Sequence, residues 1–143
     1  MHRADPISEV RVRVNYSETD QMGVVYHARY AVWLDIARTE HLRCSGLSYK
    51  ALEERGLRLA VSELRIRYRQ PARYDDEVVV RCWVRDAGSR RVTFGYGLTQ
   101  AVSGLLLATA ETSLLCLTPT FTLTRLPHDV LDALTPIADP IEL

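Results

Sequence analysis

The sequence predicts an α+β fold in which an antiparallel sheet wraps around one long central helix. Three observations predict it: an alternating first strand, a single long helical stretch, and four consecutive strand-like segments joined by short turns. Short turns join antiparallel strands, and helix and strands segregated along the chain are typical of the α+β class. With 143 residues, 47% of them hydrophobic, we expect one domain over residues 1–143, with a core at about 9–118 and a tail at 119–143.

The first two elements are a strand and the long helix. Residues 9–16 alternate between apolar and polar side chains, which is the period of a half-buried strand. Turn-forming residues follow at 17–23, and helical spacing then runs from residue 28 to about residue 44. Nearly all residues from 30 to 37 are apolar, and a helix that is apolar almost all round is typically enclosed by other elements. We therefore expect this helix to be central.

A short helix and four strands follow the long helix. Ser48 as N-cap and Gly56 as stop predict a helix over residues 48–55. The alternation from residue 57 to residue 68 changes parity near Ser62 and Glu63, which predicts a β-bulge. The remaining elements are predicted as strands at residues 78–86, 91–100 and 105–118, turns at 87–90 and 103–104, and a short helix around 128–134.

Charge and composition exclude several classes of protein. Eighteen basic residues balance 18 acidic ones, so no net field favours nucleic acid as a partner, and no stretch approaches the roughly 18 apolar residues that a membrane span needs. Three cysteines with no CxxC pair argue against a zinc site or a disulfide framework. Because no secretion signal is visible, we expect a cytoplasmic protein. Phosphate-loop, dinucleotide, serine-hydrolase and zinc-protease motifs are all missing.

Candidate functional residues concentrate in residues 16–39, where the first strand, a loop and the buried helix meet. Asp20 lies in that loop, where a carboxylate can act as a general base or simply form and cap a turn. The helix entrance at residues 25–28 contains no Ser, Thr, Asp or Asn, so its first N–H groups are free to polarise a carbonyl unless water or a distant side chain satisfies them. We interpret the side chain of His27 as a packing group.

Arginines supply the candidate anion-binding residues. Arg65, Arg67 and Arg69 alternate with apolar residues, so their guanidinium groups are expected on one face of one strand. Arg90 and Arg91 lie at a predicted hairpin turn. These residues form either a solvated surface or a phosphate-binding strip.

The same stretch also carries a family pattern, which continues further along the chain. The matching residues are Tyr16, Thr19, Asp20, Gly23, Val25, Tyr26, His27, Tyr30, Ala37, Arg38, Tyr68, Pro71, Ala72, Arg73, Asp75 and Asp76. In this pattern the chain resembles the hotdog-fold acyl-CoA thioesterases of the 4-hydroxybenzoyl-CoA thioesterase and YbgC-like branch. The resemblance implies a hotdog fold, which agrees with the fold class predicted above.

The resemblance also implies an activity: hydrolysis of an acyl-CoA thioester to the free acid and CoA. It implies that Asp20 is the catalytic carboxylate, either activating water or attacking the carbonyl, and that the backbone N–H of His27 polarises that carbonyl. No metal is implied, and no cofactor beyond the CoA that is part of the substrate. Substrate contacts are expected from Gly23, Val25, Tyr26, Tyr30, Arg65, Arg67, Arg90 and Arg91.

The resemblance gives less direct expectations for the assembly of subunits and for the acyl group of the substrate. The resemblance implies a homodimer or homotetramer whose sheets join edge to edge, with active sites at subunit interfaces. Tyr30, Trp33 and Leu34 indicate an apolar acyl pocket that suits aromatic and aliphatic groups alike. A non-catalytic acyl-CoA-binding subunit is the alternative function, and a hotdog hydratase is disfavoured because no paired His and acid is present.

Overall fold

The computed structural model describes residues 6–143, so the first five residues of the expected domain lie outside the described part. The five strands form one antiparallel sheet in the order β1-β3-β4-β5-β2. The α+β class and the sheet with one long helix are confirmed. The elements are β1 (Ile7–Arg13), a 3-10 helix (Tyr16–Glu18), α1 (Arg29–Cys44), α2 (Tyr49–Glu54), β2 (Arg58–Tyr68), β3 (Glu77–Ala87), β4 (Arg91–Gln100), β5 (Leu106–Leu117) and α3 (His128–Ala133).

Most local predictions are confirmed. The register of β2 against β5 shifts between Val61 and Glu63, which is the predicted β-bulge. The hydroxyl of Ser48 accepts a hydrogen bond from the N–H of Ala51 at 3.1 Å, so this residue does cap α2. Both elements are thus encoded locally, one by a change of alternation and the other by a capping side chain.

The predicted end of the first strand is wrong. Alternation continues to Tyr16 in the sequence, but β1 ends at Arg13, which is paired with Glu77, the first residue of β3. Beyond that pair the N–H of Asn15 bonds instead to Oε1 of Glu18 at 2.8 Å. This bond turns the chain into the 3-10 helix, which begins at Tyr16. The strand stops because its partner strand stops, which the alternation of a single segment does not reveal.

The long helix is buried on one side only. Tyr30, Trp33 and Leu34 are buried, whereas Val32 and Ile36 are 41% and 44% exposed. The prediction that α1 is enclosed all round is therefore wrong within one chain. A helix that packs on one face of a sheet is covered on the side towards the sheet, and no element of residues 6–143 covers the other side.

The C-terminal tail packs on the sheet face turned away from α1. Trp83 Nε1 on β3 donates to Oδ1 of Asp139 at 2.9 Å. On β4, a Cβ added to Gly97 would lie 2.6 Å from Cδ1 of Ile141, and one added to Gly95 would lie 2.6 Å from the ring of Trp83. The two glycines thus leave space on this face for the Trp83 ring and for the tail.

Candidate active site

A cavity of about 290 Å³ lies where the entrance of α1 meets the end of β2. Four of the predicted site residues line it: Asp20, Val25, His27 and Tyr30. The sequence interpretation named Arg69 only as a candidate anion-binding residue and did not assign the other lining residues to the site, although Tyr68 and Pro71 belong to the family pattern. These additional residues are Met22, Val24, Tyr68, Arg69, Gln70 and Pro71.

The loop that carries Asp20 is a tight turn. The N–H of Asp20 donates to the carbonyl of Val24 at 2.9 Å, and its carbonyl accepts from the N–H of Gly23 at 3.0 Å. Gly23 has φ +77°, a conformation that favours glycine. Gly23 lies in this loop and Tyr26 lies at the helix entrance, and neither residue lines the cavity.

The carboxylate of Asp20 is half-buried and combines the two roles that the sequence left open. Its Oδ1 accepts a hydrogen bond from the N–H of Met22 at 2.8 Å, which is a turn-forming contact. Its Oδ2 makes no hydrogen bond within residues 6–143. One oxygen therefore holds the loop while the other is available to a water molecule or a substrate.

Glu18 ties this loop to the helix entrance. It is only 5% exposed, and its carboxylate accepts from the N–H of Asn15 at 2.8 Å, Nε1 of Trp33 at 3.1 Å and Nε of Arg29 at 3.4 Å. Its backbone carbonyl accepts from the N–H of Tyr26 at 2.8 Å. Sequence reasoning missed this residue, and the available signal was an acidic residue two positions before Asp20.

The entrance of α1 is uncapped, as predicted. Ala28 occupies the N-cap position without a side-chain hydrogen bond, and the N–H groups of His27 and Ala28 have no partner within residues 6–143. The positive end of the helix dipole lies here. The carbonyl of His27 accepts a 2.7 Å hydrogen bond from the hydroxyl of Tyr68, which fixes the helix entrance to the end of β2.

Aromatic rings form one wall of the cavity. The rings of Tyr30 and Tyr68 meet edge to face at 5.0 Å, and Tyr68 also contacts the His27 ring edge to face at 6.5 Å. Burial raises the pKa of both Tyr30 and Tyr68, so both remain neutral phenols at neutral pH. Trp33 and Leu34 are buried and do not line the cavity, so of the predicted acyl pocket only Tyr30 is in place.

The predicted arginines are distributed over three places. Arg69 lies beyond the end of β2 and lines the first cavity, while Arg65 and Arg67 line a second cavity of about 240 Å³. The expected strip of three is therefore divided. Arg91 is opposite Leu115 and Tyr68 is opposite Ala108, so Arg91 lies about seven residues, or roughly 23 Å, from the first cavity along the sheet.

Within residues 6–143, no three His, Cys, Asp or Glu side chains come together in an arrangement that could hold a metal ion. In the same range, no helix has both the length and the apolar character needed to cross a membrane.

Comparison with known proteins assigns the fold and the class. The structure of DHNA-CoA thioesterase from Staphylococcus aureus is similar with a TM-score of 0.84 and 32% identity, covering 89% of this chain and 87% of that one. The expected hotdog fold is thereby confirmed. The cavity and this fold define a hotdog-fold enzyme of the thioester hydrolase class.

The family follows from sequence. The model of the thioesterase superfamily matches residues 22–106, and the chain belongs to this superfamily. It is 34% identical over 110 residues to the putative acyl-CoA thioesterase YneP of Bacillus subtilis, covering 77% of this chain and 79% of YneP. It is 37% identical over 106 residues to the acyl-CoA thioesterase YbgC of Haemophilus influenzae, covering 73% and 76%. The resemblance read from the sequence is confirmed.

Proposed function

We propose that this enzyme hydrolyses acyl-CoA thioesters in the cavity between the Asp20 loop and the entrance of α1. One observation carries the proposal: Asp20, with a free carboxylate oxygen, and His27, at an uncapped helix N-terminus, line the same cavity. A nucleophile or base and an oxyanion-stabilising donor are what acyl transfer requires. The similarity to YneP, a putative acyl-CoA thioesterase, and to YbgC, an acyl-CoA thioesterase, supports the same substrate class.

The proposed reaction uses water and groups of this protein alone. In one route Asp20 takes a proton from water as the water oxygen attacks the thioester carbonyl, and the tetrahedral intermediate then collapses with cleavage of the C–S bond to give the free acid. In the other route the Asp20 carboxylate attacks the carbonyl, the C–S bond breaks as a mixed anhydride forms, and water hydrolyses the anhydride to the free acid and the Asp20 carboxylate. In both routes the backbone N–H of His27 donates to the carbonyl oxygen as negative charge develops on it, and the departing CoA thiolate receives a proton that comes from the water. Because hydrolysis needs only water, we propose no cofactor and no metal.

The test of the proposed function is the substitution Asp20→Asn, assayed by release of the CoA thiol from a panel of aromatic and aliphatic acyl-CoAs. The amide keeps an oxygen for the N–H of Met22 but is no longer a base or a nucleophile. We expect kcat to fall by about 10²–10⁴-fold, with the melting temperature and CoA affinity retained. Unchanged turnover would overturn the proposal. Saturable binding without turnover in the wild type would support the acyl-CoA-binding subunit instead.

Isotope labelling can identify direct attack by the Asp20 carboxylate. A single turnover in H₂¹⁸O places ¹⁸O in the Asp20 carboxylate only if the carboxylate attacks and the anhydride is then opened at the aspartyl carbonyl. If Asp20 acts as a general base, the label enters the released acid alone. Mass spectrometry of the loop peptide measures the difference.

We further propose a homodimer joined through the edge strand β2, either alone or as half of a homotetramer. β2 is at the edge of the sheet, and an edge strand has one row of unpaired backbone groups. Its Val61 and Leu64 are 50% and 45% exposed. A two-fold axis beside β2 pairs this strand antiparallel with β2 of the second subunit. The start of one β2 then lies beside the end of the other, where the cavity is.

This pairing gives Arg90 and Arg91 a place in the site. They lie at the start of β4, and Arg91 and Ala60 are both opposite Leu115. In the proposed dimer the start of β2 lies beside the partner's cavity, and the charge of these arginines suits the CoA phosphates of a substrate bound to the partner. We propose this role for both residues.

Subunit complementation tests the shared site. In a hybrid dimer of an Asp20→Asn chain and an Arg90→Gln/Arg91→Gln chain, one of the two sites is fully wild type. We expect about half of the wild-type activity from the hybrid, since a two-fold dimer has two equivalent sites, and little from either parent. A hybrid no more active than its parents would show that each site is built from one chain.

Two further proposals concern the chain as a whole. We propose that residues 1–143 form one domain, which is supported by the continuous core that joins α1 to the sheet. We also propose a cytoplasmic location. It is supported by Cys44, Cys82 and Cys116, all of which are free thiols and therefore suit a reducing compartment.

A further inference from the structure

A second cavity lies on the sheet face turned away from α1. Tyr68 of β2 contacts Tyr30 of α1, so its side chain is on the α1 face of the sheet. Successive side chains of a strand alternate between the two faces, so Arg65 and Arg67 are on the opposite face. The cavity has a volume of about 240 Å³. It is lined by Arg65, Arg67, Arg85, Thr109, Ala110, Glu111 and Leu143.

The sheet register brings the polar lining residues side by side. Arg67 is paired with Thr109, and Arg65 is paired with Glu111 on the neighbouring strand β5. The two arginines are two residues apart and therefore adjacent on the same face. The cavity thus has two parallel guanidinium side chains on one side and a threonine hydroxyl beside them.

The carboxylates of Glu111 and Asp139 near the cavity are both bound by Arg85. Arg85 hydrogen-bonds Glu111 and also binds Asp139 through Nε and Nη2 at 2.9 and 2.8 Å. Arg65 has only Glu63, at 3.4 Å, and both side chains are more than half exposed, so this ion pair is weak.

Arg67 makes no ion pair with Asp or Glu within residues 6–143. Its Nη1 donates to the backbone oxygen of Leu143 at 3.3 Å. The three arginines of the cavity are balanced in number by Glu63, Glu111 and Asp139. Because Arg67 has no carboxylate partner among these and the Arg65 pair is weak, the guanidinium groups of Arg65 and Arg67 are the least neutralised in the cavity.

A second observation at this cavity is independent of charge. Thr109 is 1% exposed, and its Oγ1 is the one buried side-chain oxygen or nitrogen without a hydrogen-bond partner in the described part of the chain. Buried hydroxyls are normally paired, because leaving one unpaired costs free energy. Thr109 lines the cavity, so rotation of its side chain towards an acceptor placed there would satisfy the hydroxyl.

We propose that this outer-face cavity binds a phosphate group, with Arg65 and Arg67 donating to its oxygens and Thr109 supplying a further hydroxyl donor. A phosphate presents several acceptor oxygens and a charge that matches two forked donors. Such a group can come from the CoA part of the substrate or from a free phosphate ion. Binding at the cavity does not depend on the proposed activity, but its assignment to the substrate rests on the proposed function.

Thermal unfolding of the intact protein tests the site. Wild type is compared in sodium phosphate and in sodium chloride of equal ionic strength, alongside Arg67→Gln, Thr109→Val and the control Arg43→Gln, an exposed arginine on α1. We expect a phosphate-specific rise in melting temperature for wild type and the control. Titration calorimetry with phosphate should show affinity about tenfold weaker or more in Arg67→Gln. Thr109→Val should also bind more weakly while melting no lower in chloride.

Two results would overturn the proposal. One is a wild type that melts at the same temperature in both salts and gives no binding heat. The other is equal phosphate affinity in wild type, Arg67→Gln and Thr109→Val. Either can occur in a fully active thioesterase, so the failure of this site is distinguishable from the failure of the proposed function.

Kinetics distinguish the two sources of phosphate once binding is shown. The KM of Arg67→Gln is measured for an acyl-CoA and for the matching acyl N-acetylcysteamine thioester, which carries no phosphate. A rise in KM for the CoA substrate alone assigns the site to the CoA phosphates. Unchanged KM values for both substrates assign it to a free phosphate ion, and the site stands in either case.

Discussion

The side chain of Glu18 shows how one residue can hold a site without contacting the substrate. Its buried carboxylate receives donors from the loop and from α1, and its carbonyl receives the N–H of Tyr26. We infer that it is a positioning residue, because it fixes the distance between Asp20 and the N–H of His27. Small displacements of reacting groups lower rates strongly.

We therefore expect Glu18→Ala to lower both stability and kcat. The substitution leaves Trp33 Nε1 and the N–H of Asn15 without their acceptor, which costs about 1–3 kcal/mol each. Urea denaturation measures the stability and steady-state assays the rate, with Glu40→Gln on the exposed side of α1 as control. If Glu18→Gln restores kcat while Ala does not, the positioning role holds. Loss of stability with an unchanged kcat would contradict it.

Tyr68 makes the second contact that holds the helix entrance. Tyr68→Phe keeps the ring against Tyr30 but removes the 2.7 Å hydrogen bond to the carbonyl of His27. A hydrogen bond of this kind contributes roughly 1 kcal/mol, so we expect kcat to fall about fivefold with the melting temperature little changed. Tyr74→Phe, at another exposed tyrosine, is the matched control. Equal kcat in the two variants would show that the bond has no part in catalysis.

At the scale of single residues, the sequence predicted two residues that line the cavity better than it predicted the residues that hold them in place. Asp20 and His27 were identified as candidates because a family pattern and an uncapped helix entrance coincide there, and both line the cavity. Glu18 was missed because an acidic residue in a turn is ordinary until burial is known. Arg69 was placed with Arg65 and Arg67 because the alternation was extended beyond the end of β2.

Among the elements, strand β4 and the tail depend on each other. A Cβ added to Gly97 would lie 2.6 Å from Cδ1 of Ile141, so the end of this flexible side chain would have to shift. The tail therefore packs against the space that this glycine leaves on the sheet, and substitutions at Gly97 and at Ile141 can both test the packing.

We expect Gly97→Ala to destabilise the protein by about 1 kcal/mol, the low end of overpacking costs, because the end of the Ile141 side chain can shift. Ile141→Ala removes the obstructing side chain, so the double variant should recover part of that loss, and a double-mutant cycle from urea denaturation measures the coupling. Gly88→Ala, where an added Cβ has no contact shorter than 3.7 Å, is the control. Additive effects of the two substitutions would show that the residues are not in contact.

Local signals predicted most elements but not the order of the strands. Capping at Ser48 and the parity change near Ser62 are properties of a few neighbouring residues, and both are confirmed. The pairing of β2 with β5 and of β1 with β3 joins distant segments, so no local pattern specifies it. The end of β1 was misplaced for the same reason, since its partner strand sets it.

For the whole molecule, buried phenols and thiols set the response to alkaline pH. Burial raises the pKa of Tyr30, Tyr49, Tyr96 and Cys82 in the folded state. Above the ordinary pKa of these groups the unfolded chain releases protons that the folded chain retains. Stability therefore falls as pH rises through that range.

We expect the free energy of unfolding to decline from about pH 9 upward, and Tyr49→Phe to make the decline shallower. Urea denaturation between pH 7 and pH 11 measures it. Tyr74→Phe, at a tyrosine that is 57% exposed, should leave the slope unchanged. A decline that is equally steep in both variants would show that Tyr49 does not contribute to the loss of stability at alkaline pH.

The strand order has a consequence for how fast the protein folds. Ile7 pairs with Trp83 and Arg58 with Leu117, so the two edge strands close long loops, whereas β3, β4 and β5 follow one another through short turns. Folds dominated by such distant pairings fold slowly, in milliseconds to seconds. The central hairpins can form early, but the cavity needs the end of β2 against the entrance of α1. The cavity at the entrance of α1 is therefore expected to be among the last parts of the molecule to assemble.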